Sequence, residues 1–212
     1  MKLTCASDTT NFGSWWYNST TNRLQYFYFG GAWSAGGALI TGRESLAGAG
    51  TQNEGLAFGG GFGFLNCSCT EEYNGASWST GGALITARDT LAGAGTQNAG
   101  LAFGGLTKYA FTCTEEYNGT SWSTGGALST ARYSLAGAGT QNAGLAFGGA
   151  CPIAVSCTEE YNGTSWSAGG ALITARRSLA GAGEQNAALA FGGSTALSCT
   201  EEYIIGNQTC TL

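Results

Sequence analysis

Thr114-Glu115-Glu116-Tyr117-Asn118-Gly119-Thr120-Ser121-Trp122-Ser123-Thr124-Gly125-Gly126 is the stretch from which the rest of the chain can be read. Two strand-like segments flank an Asn-Gly pair, the strongest short hairpin signal. The stretch is not unique. Thr-Glu-Glu-Tyr begins at Thr70, Thr114, Thr158 and Thr200. Trp33, Trp78, Trp122 and Trp166 follow one another at steps of 45, 44 and 44 residues. Arg43, Arg88, Arg132 and Arg176 keep the same step, as do the Gly-Gly pairs beginning at Gly59, Gly104, Gly148 and Gly192. A fixed period of this size marks a repeat architecture.

One unit reads as four short strands. The first is Leu91 to Gly95, ended by a Thr96-Gln97-Asn98 turn. The second is Gly100 to Phe103, stopped by Gly104-Gly105. The third runs from about Ala110 to Tyr117. A two-residue turn at Asn118-Gly119 leads to the fourth, around Trp122. Small residues dominate the first strand, which suits crowding about a central axis. Tyr117 and Trp122 suit outer strands, where neighbouring sheets splay. Helical repeats need long segments of period 3.6, and none is present. The expected fold is all-β, a small β-propeller of five four-stranded blades. The expected boundaries are a degenerate blade at 1–42 and repeat blades at 43–87, 88–131, 132–175 and 176–212.

Composition narrows the function. The 37 glycines recur at fixed places, so they mark turns and close packing rather than a fibrous or low-complexity chain. Net charge is −5, with no Lys/Arg cluster, which argues against phosphate-led nucleic-acid binding and against an anionic membrane surface. No apolar run reaches membrane-spanning length. The chain has no His, which removes Ser/His and Cys/His nucleophile systems and makes a structural zinc site improbable. No catalytic residue, metal or cofactor is expected.

Each Glu-Glu pair splits across the two faces of its strand. Glu71, Glu115, Glu159 and Glu201 are expected to meet Arg43, Arg88, Arg132 and Arg176 in structural ion pairs that tie blade to blade. A weaker reading has some of these carboxylates binding calcium. Cys69, Cys113, Cys157 and Cys199, one per unit, are expected to be unbonded and buried as small hydrophobes. Cys5, Cys67, Cys151 and Cys210 are the disulfide candidates. The short segments around Cys5 and Cys210 are expected to lie side by side, bridged Cys5–Cys210.

The carriers of the repeat resemble those of kelch repeats: a Gly-Gly pair ending the second strand, then Glu71, Tyr73, Trp78 and Arg88. They recur as Glu115, Tyr117, Trp122, Arg132 and as Glu159, Tyr161, Trp166, Arg176. The Tyr–Trp interval of five residues is tighter than is usual in that family. The resemblance covers residues 34 to 203 and implies the propeller, but it carries no activity. Trp16 to Tyr26 resembles short hairpin modules of bacteriophage tail-fibre proteins, and near-identical repeats of this kind look like those of phage and bacterial surface proteins. This implies a virion or tail-associated component.

Near-identical units also show where copies differ. Differences gather between the second and third strands (61–68, 106–112, 150–156 and 194–198) and just after the Arg, at Glu44, Asp89, Tyr133 and Arg177. In an antiparallel meander these connections emerge on one face. Phe62, Phe64, Lys108, Tyr109, Phe111, Pro152, Ile153, Tyr133 and Arg177 are therefore the expected contacts for a protein or glycan partner. The expected role is a non-enzymatic structural or adhesive module of a virion, with attachment to other virion proteins or a host surface. A bacterial surface or secreted lectin is the alternative.

Overall fold

The computed structural model describes residues 15–18, 20–26, 33–194 and 198–205, and all their regular structure is β-strand. The chain divides into two units, residues 1–35 and 36–212. In the first, β1 (Trp15–Asn18) pairs antiparallel with β2 (Arg23–Tyr26) in a hairpin, Trp15 opposite Tyr26.

The second unit is the repeat array. Its first sheet is built from β3 (Ala47–Gly50), β4 (Gly55–Phe58), β7 (Thr70–Tyr73) and β8 (Trp78–Thr80); the two-residue strands β5 (Gly61–Phe62) and β6 (Leu65–Asn66) form a small hairpin between β4 and β7. The second sheet is β9 (Ala92–Thr96), β10 (Ala99–Phe103), β11 (Thr114–Tyr117) and β12 (Trp122–Thr124). The third is β13 (Ala136–Gly139), β14 (Gly144–Phe147), β15 (Thr158–Tyr161) and β16 (Trp166–Ala168). The fourth is β17 (Ala180–Glu184), β18 (Ala187–Phe191) and β19 (Thr200–Ile204). Each is an antiparallel meander in chain order, the blade of a β-propeller.

Among the described residues there are four blades, not the expected five. An inner strand needs an Ala-Gly-Ala-Gly segment, and none occurs before Arg43; the hairpin there pairs with itself. The third strand of a blade is also shorter than expected: Ala110 contributes only an isolated bridge to Leu106, and regular pairing starts at Thr114. The Asn-Gly connection is a four-residue loop, because the last pair is Tyr117 with Trp122. The Asn118 side-chain oxygen accepts from the Thr120 and Ser121 N–H groups at 3.0 and 2.9 Å, an Asx turn that replaces the tighter one.

Small residues let the inner strands approach. A Cβ on Gly93 would stand 2.6 Å from the Phe58 ring and 2.9 Å from the Gly48 carbonyl oxygen. One on Gly137 would stand 2.6 Å from the Phe103 ring and 2.7 Å from the Gly93 carbonyl oxygen. The core lies between successive blades. Leu56, Phe58, Leu91, Ala102, Tyr117 and Trp122 form one cluster across the first two, and its counterparts join the second to the third and the third to the fourth. The Trp122 ring sits 5.0 Å from Phe58 of the preceding blade, and Trp166 lies 5.0 Å from Phe103. Each buried Phe or Leu here contributes roughly 1.5–3 kcal/mol.

The chain enters each blade through a residue in the left-handed region, Ser45 (φ 55°), Thr90 (φ 48°), Ser134 (φ 52°) and Ser178 (φ 52°). This conformation is costly for Thr. It is held by a backbone ladder: Thr90 N–H donates to Ser45 O at 2.9 Å, Ser134 N–H to Thr90 O at 2.8 Å, and Ser178 N–H to Ser134 O at 2.8 Å. These four residues, with Leu46, Leu91 and Leu135, line one open cleft of about 130 Å³ on which all four blades converge.

Candidate functional site

Inside each blade an arginine and a glutamate fix the connector that precedes the blade. Arg43 pairs with Glu71, Arg88 with Glu115, Arg132 with Glu159 at 2.9 Å, and Arg176 with Glu201. The partners belong to one unit, so the pair closes a blade on itself rather than bridging two. The carboxylate also accepts backbone N–H bonds from the connector: Ile40 to Glu71, Ile85 to Glu115, Ser129 to Glu159 and Ile173 to Glu201, at 2.6 to 2.7 Å. The guanidinium turns back to carbonyls at the end of its own second strand, as Arg132 does to Gly148 O at 3.1 Å and Ala146 O at 3.4 Å. Burial alone pushes the Glu71 carboxyl up. The bonds from Arg43, Ile40 and Thr41 and the adjacent charge outweigh it and hold the group below its ordinary value. Burial pulls the Arg132 guanidinium below its ordinary value, against the opposing charge of Glu159.

Blade-to-blade ties come from residues the sequence reading passed over. The second glutamate of each pair accepts from the tyrosine hydroxyl of the next blade: Tyr117 to Glu72 at 2.5 Å, Tyr161 to Glu116 at 2.6 Å, and Tyr203 to Glu160. Burial first, then this bond and the carboxylate charge, push Tyr117 and Tyr161 up to about 12; Tyr203 is raised for the same reasons. The turn glutamine reaches back one blade: Gln97 Nε2 donates to Gly55 O and Tyr73 O, Gln141 to Gly100 O and Tyr117 O, Gln185 to Gly144 O and Tyr161 O, all at 2.6 to 3.0 Å. Trp122 Nε1 donates to Thr70 Oγ1 and Trp166 Nε1 to Thr114 Oγ1, each at 2.9 Å. Each indole also lies against the tyrosine of its own blade, Trp78 on Tyr73, Trp122 on Tyr117 and Trp166 on Tyr161. A signal for these partners did exist, in the Glu, Gln and Thr repeated with each Tyr and Trp.

The cysteines depart from expectation. Cys67 is bonded to Cys69, joining a disulfide candidate to a residue expected to stay free. Cys113 is half-buried, and Cys157 and Cys199 are exposed, so they do not act as core hydrophobes. Their position is used through its backbone: Gly104 and Gly148 N–H donate to Cys113 O and Cys157 O at 3.0 Å. Cys151 is free and exposed. Cys5 and Cys210 lie outside the described residues, and so does the expected bridge between them.

The two variable sets meet at one end of each blade. Backbone bridges join Glu44 to Gly61, Asp89 to Leu106 and Tyr133 to Ala150; Ser194 N–H donates to Arg177 O at 2.8 Å. The loop tips expose apolar side chains. Phe62 and Leu65 are opposite each other on β5 and β6, with Phe64 fully exposed at their turn. Tyr109 and Ile153 are exposed, and Lys108 Nζ lies 5.4 Å over the Tyr109 ring. Pro152 and Arg177 are exposed, while Phe111 and Tyr133 are half-buried. Asn66 Nδ2 donates to Leu106 O at 2.8 Å, linking the loops of the first two blades. The scaffold thus fixes the loop bases and leaves the tips presented to solvent.

No family model matches the chain, and no curated protein matches it.

Proposed function

We propose that the chain is a non-enzymatic structural and adhesive module of the kelch-like, phage tail-fibre type, carried on a virion and contacting a protein or glycan through the loop face. The supporting observation is the contrast within each blade. The buried Arg–Glu pairs serve the connectors, whereas Phe64, Tyr109 and Ile153 stand exposed on loops that differ between copies. Exposed aromatics on a rigid base suit recognition of a surface. A bacterial surface or secreted lectin is the second reading, favoured by the cation-backed Tyr109 ring, a platform on which a sugar face can stack.

Two measurements separate these readings. A virion component stays with particles through density-gradient purification, while a lectin binds a glycan array when purified alone. The triple variant Phe64→Ala, Tyr109→Ala, Ile153→Ala should keep its melting temperature and lose attachment in either assay. Retained attachment in that variant would overturn the loop-face proposal.

A further inference from the structure

The end blades of the array carry the two unmatched halves of the interface that repeats inside it. Phe58, Phe103 and Phe147 are 0, 0 and 2% exposed because the next blade covers them; Phe191 of the fourth blade is 39% exposed. Leu56, Leu101 and Leu145 are 1, 0 and 1% exposed, and Leu189 is 39%. Among the described residues the inner strands pack β3 on β9, β9 on β13 and β13 on β17, with no comparable packing of β17 on β3. By the repeat, the fourth blade offers Glu202 for a tyrosine hydroxyl, Thr200 for an indole N–H, and the Ala188 and Tyr203 carbonyls for a glutamine. The first blade holds the matching donors in Tyr73, Trp78 and Gln52, none of which donates a hydrogen bond among the described residues.

A second mismatch lies one blade back. Trp122 and Trp166 fill slots over Phe58 with Thr70 and over Phe103 with Thr114. Among the described residues the third slot, over Phe147 and Thr158, receives no indole, and the sequence has Gln208 at the position where the repeat has Trp. It is a cleft of about 80 Å³ lined by Leu145, Phe147, Thr158, Leu172, Ala188 and Tyr203 among others, and Thr158 Oγ1 is buried without a hydrogen-bond partner among the described residues. A polar atom left so is costly, and an N–H donor would remove the cost. Trp33 is fully exposed, and residues 33–43 match 166–176 at every position except Gly42 against Ala175.

We infer that the fourth blade is the docking face for the first blade of a second copy of this chain, head to tail. Trp33 of the incoming copy enters the slot over Phe147 and donates its indole N–H to Thr158. The Trp78, Tyr73 and Gln52 side chains of that copy engage Thr200, Glu202 and the Ala188 and Tyr203 carbonyls. A heterologous contact of this kind builds a ring if its rotation closes and a filament if it does not.

The test uses the full chain. Sedimentation velocity across a concentration series should show dimers and larger species rising with concentration. Phe191→Ser, at a position exposed in the single chain, should abolish them with the circular dichroism spectrum unchanged. A photo-crosslinking residue at position 33, in an equal mixture of light and heavy-isotope chains, should join peptide 33 to the 145–158 region with mixed labels. A monomer at all concentrations would overturn the inference. So would single-label crosslinks alone, which would mean that a chain closes on itself, or undiminished association in Phe191→Ser.

Discussion

Glu115→Ala is the substitution whose cost the structure prescribes most closely. The carboxylate accepts from Arg88, Ile85 N–H and Thr86 N–H, and the side chains of the ion pair are 0% and 3% exposed. Removing one partner of a buried ion pair costs about 3–5 kcal/mol, because the other charge stays buried. Two connector N–H groups lose their acceptor as well. Ile85 is exposed and Thr86 half-buried, so water restores part of that loss. The total expected is about 4–5 kcal/mol, a large share of the roughly 5–15 kcal/mol of a whole domain. Glu201→Ala is the internal control. It removes the same bonds in the fourth blade, but its carboxylate is 11% exposed and its connector residues Ile173 and Thr174 are exposed. Its cost should be about 1–3 kcal/mol, since removal of the partly exposed carboxylate opens a path for water to the guanidinium and the exposed connector N–H groups are solvated at once. Urea unfolding followed by tryptophan fluorescence, with a calorimetric check for a single transition, measures both. Equal costs at the two sites, or less than about 1 kcal/mol at Glu115, would refute the argument from burial.

Other expectations follow from single contacts. Gly137→Ala should destabilise by about 1–3 kcal/mol in thermal melts, because its methyl meets the Phe103 ring and the Gly93 carbonyl. Gly42→Ala, open on all sides and matching Ala87, Ala131 and Ala175, should stabilise by about 0.4–1 kcal/mol. Thr114→Val, which removes the acceptor of Trp166, should cost about 1–3 kcal/mol, whereas Thr158→Val should be neutral or stabilising in dilute monomer. Tyr117 and Tyr161 have raised folded-state values, so their contribution is complete below the unfolded value near 10 and is lost as pH rises through about 12. Melting temperature should fall across that window, and tyrosinate absorbance should show a late-titrating class. Glu71 is shifted the other way, so its contribution is present above its ordinary value and is lost on acidification below it.

Much of the blade was legible from residue order alone. Gly-Gly stops, small inner strands and the Tyr–Trp hairpin each obey a local rule, and each is in place. The blade number was not legible, because Tyr28 to Trp33 copies the outer edge of a unit without the Ala-Gly-Ala-Gly segment that makes an inner strand. The Arg–Glu pairing followed from charge and alternation. Its confinement to one blade did not, since near-identical repeats make position n of one unit indistinguishable from position n of the next. The same ambiguity hid Glu72, Gln97 and Thr70. Alternation says only that Glu71 and Glu72 face opposite ways, not that one serves its own connector and the other a neighbour's tyrosine. The cysteines misled because one Cys at the same place in every unit reads as a core position, whereas the place just ahead of β7, β11, β15 and β19 is used through its carbonyl, with Cys69 bonded to Cys67 and Cys157 and Cys199 exposed.

The Ser45–Thr90–Ser134–Ser178 ladder and the bonds around it give every junction the same chemistry. A unit of about 44 residues can therefore be inserted or lost with the new junctions already compatible. Copy number becomes an inherited variable that changes without redesign of any interface. Only the loop tips must then diversify, and each duplication supplies one more tip on which selection can act.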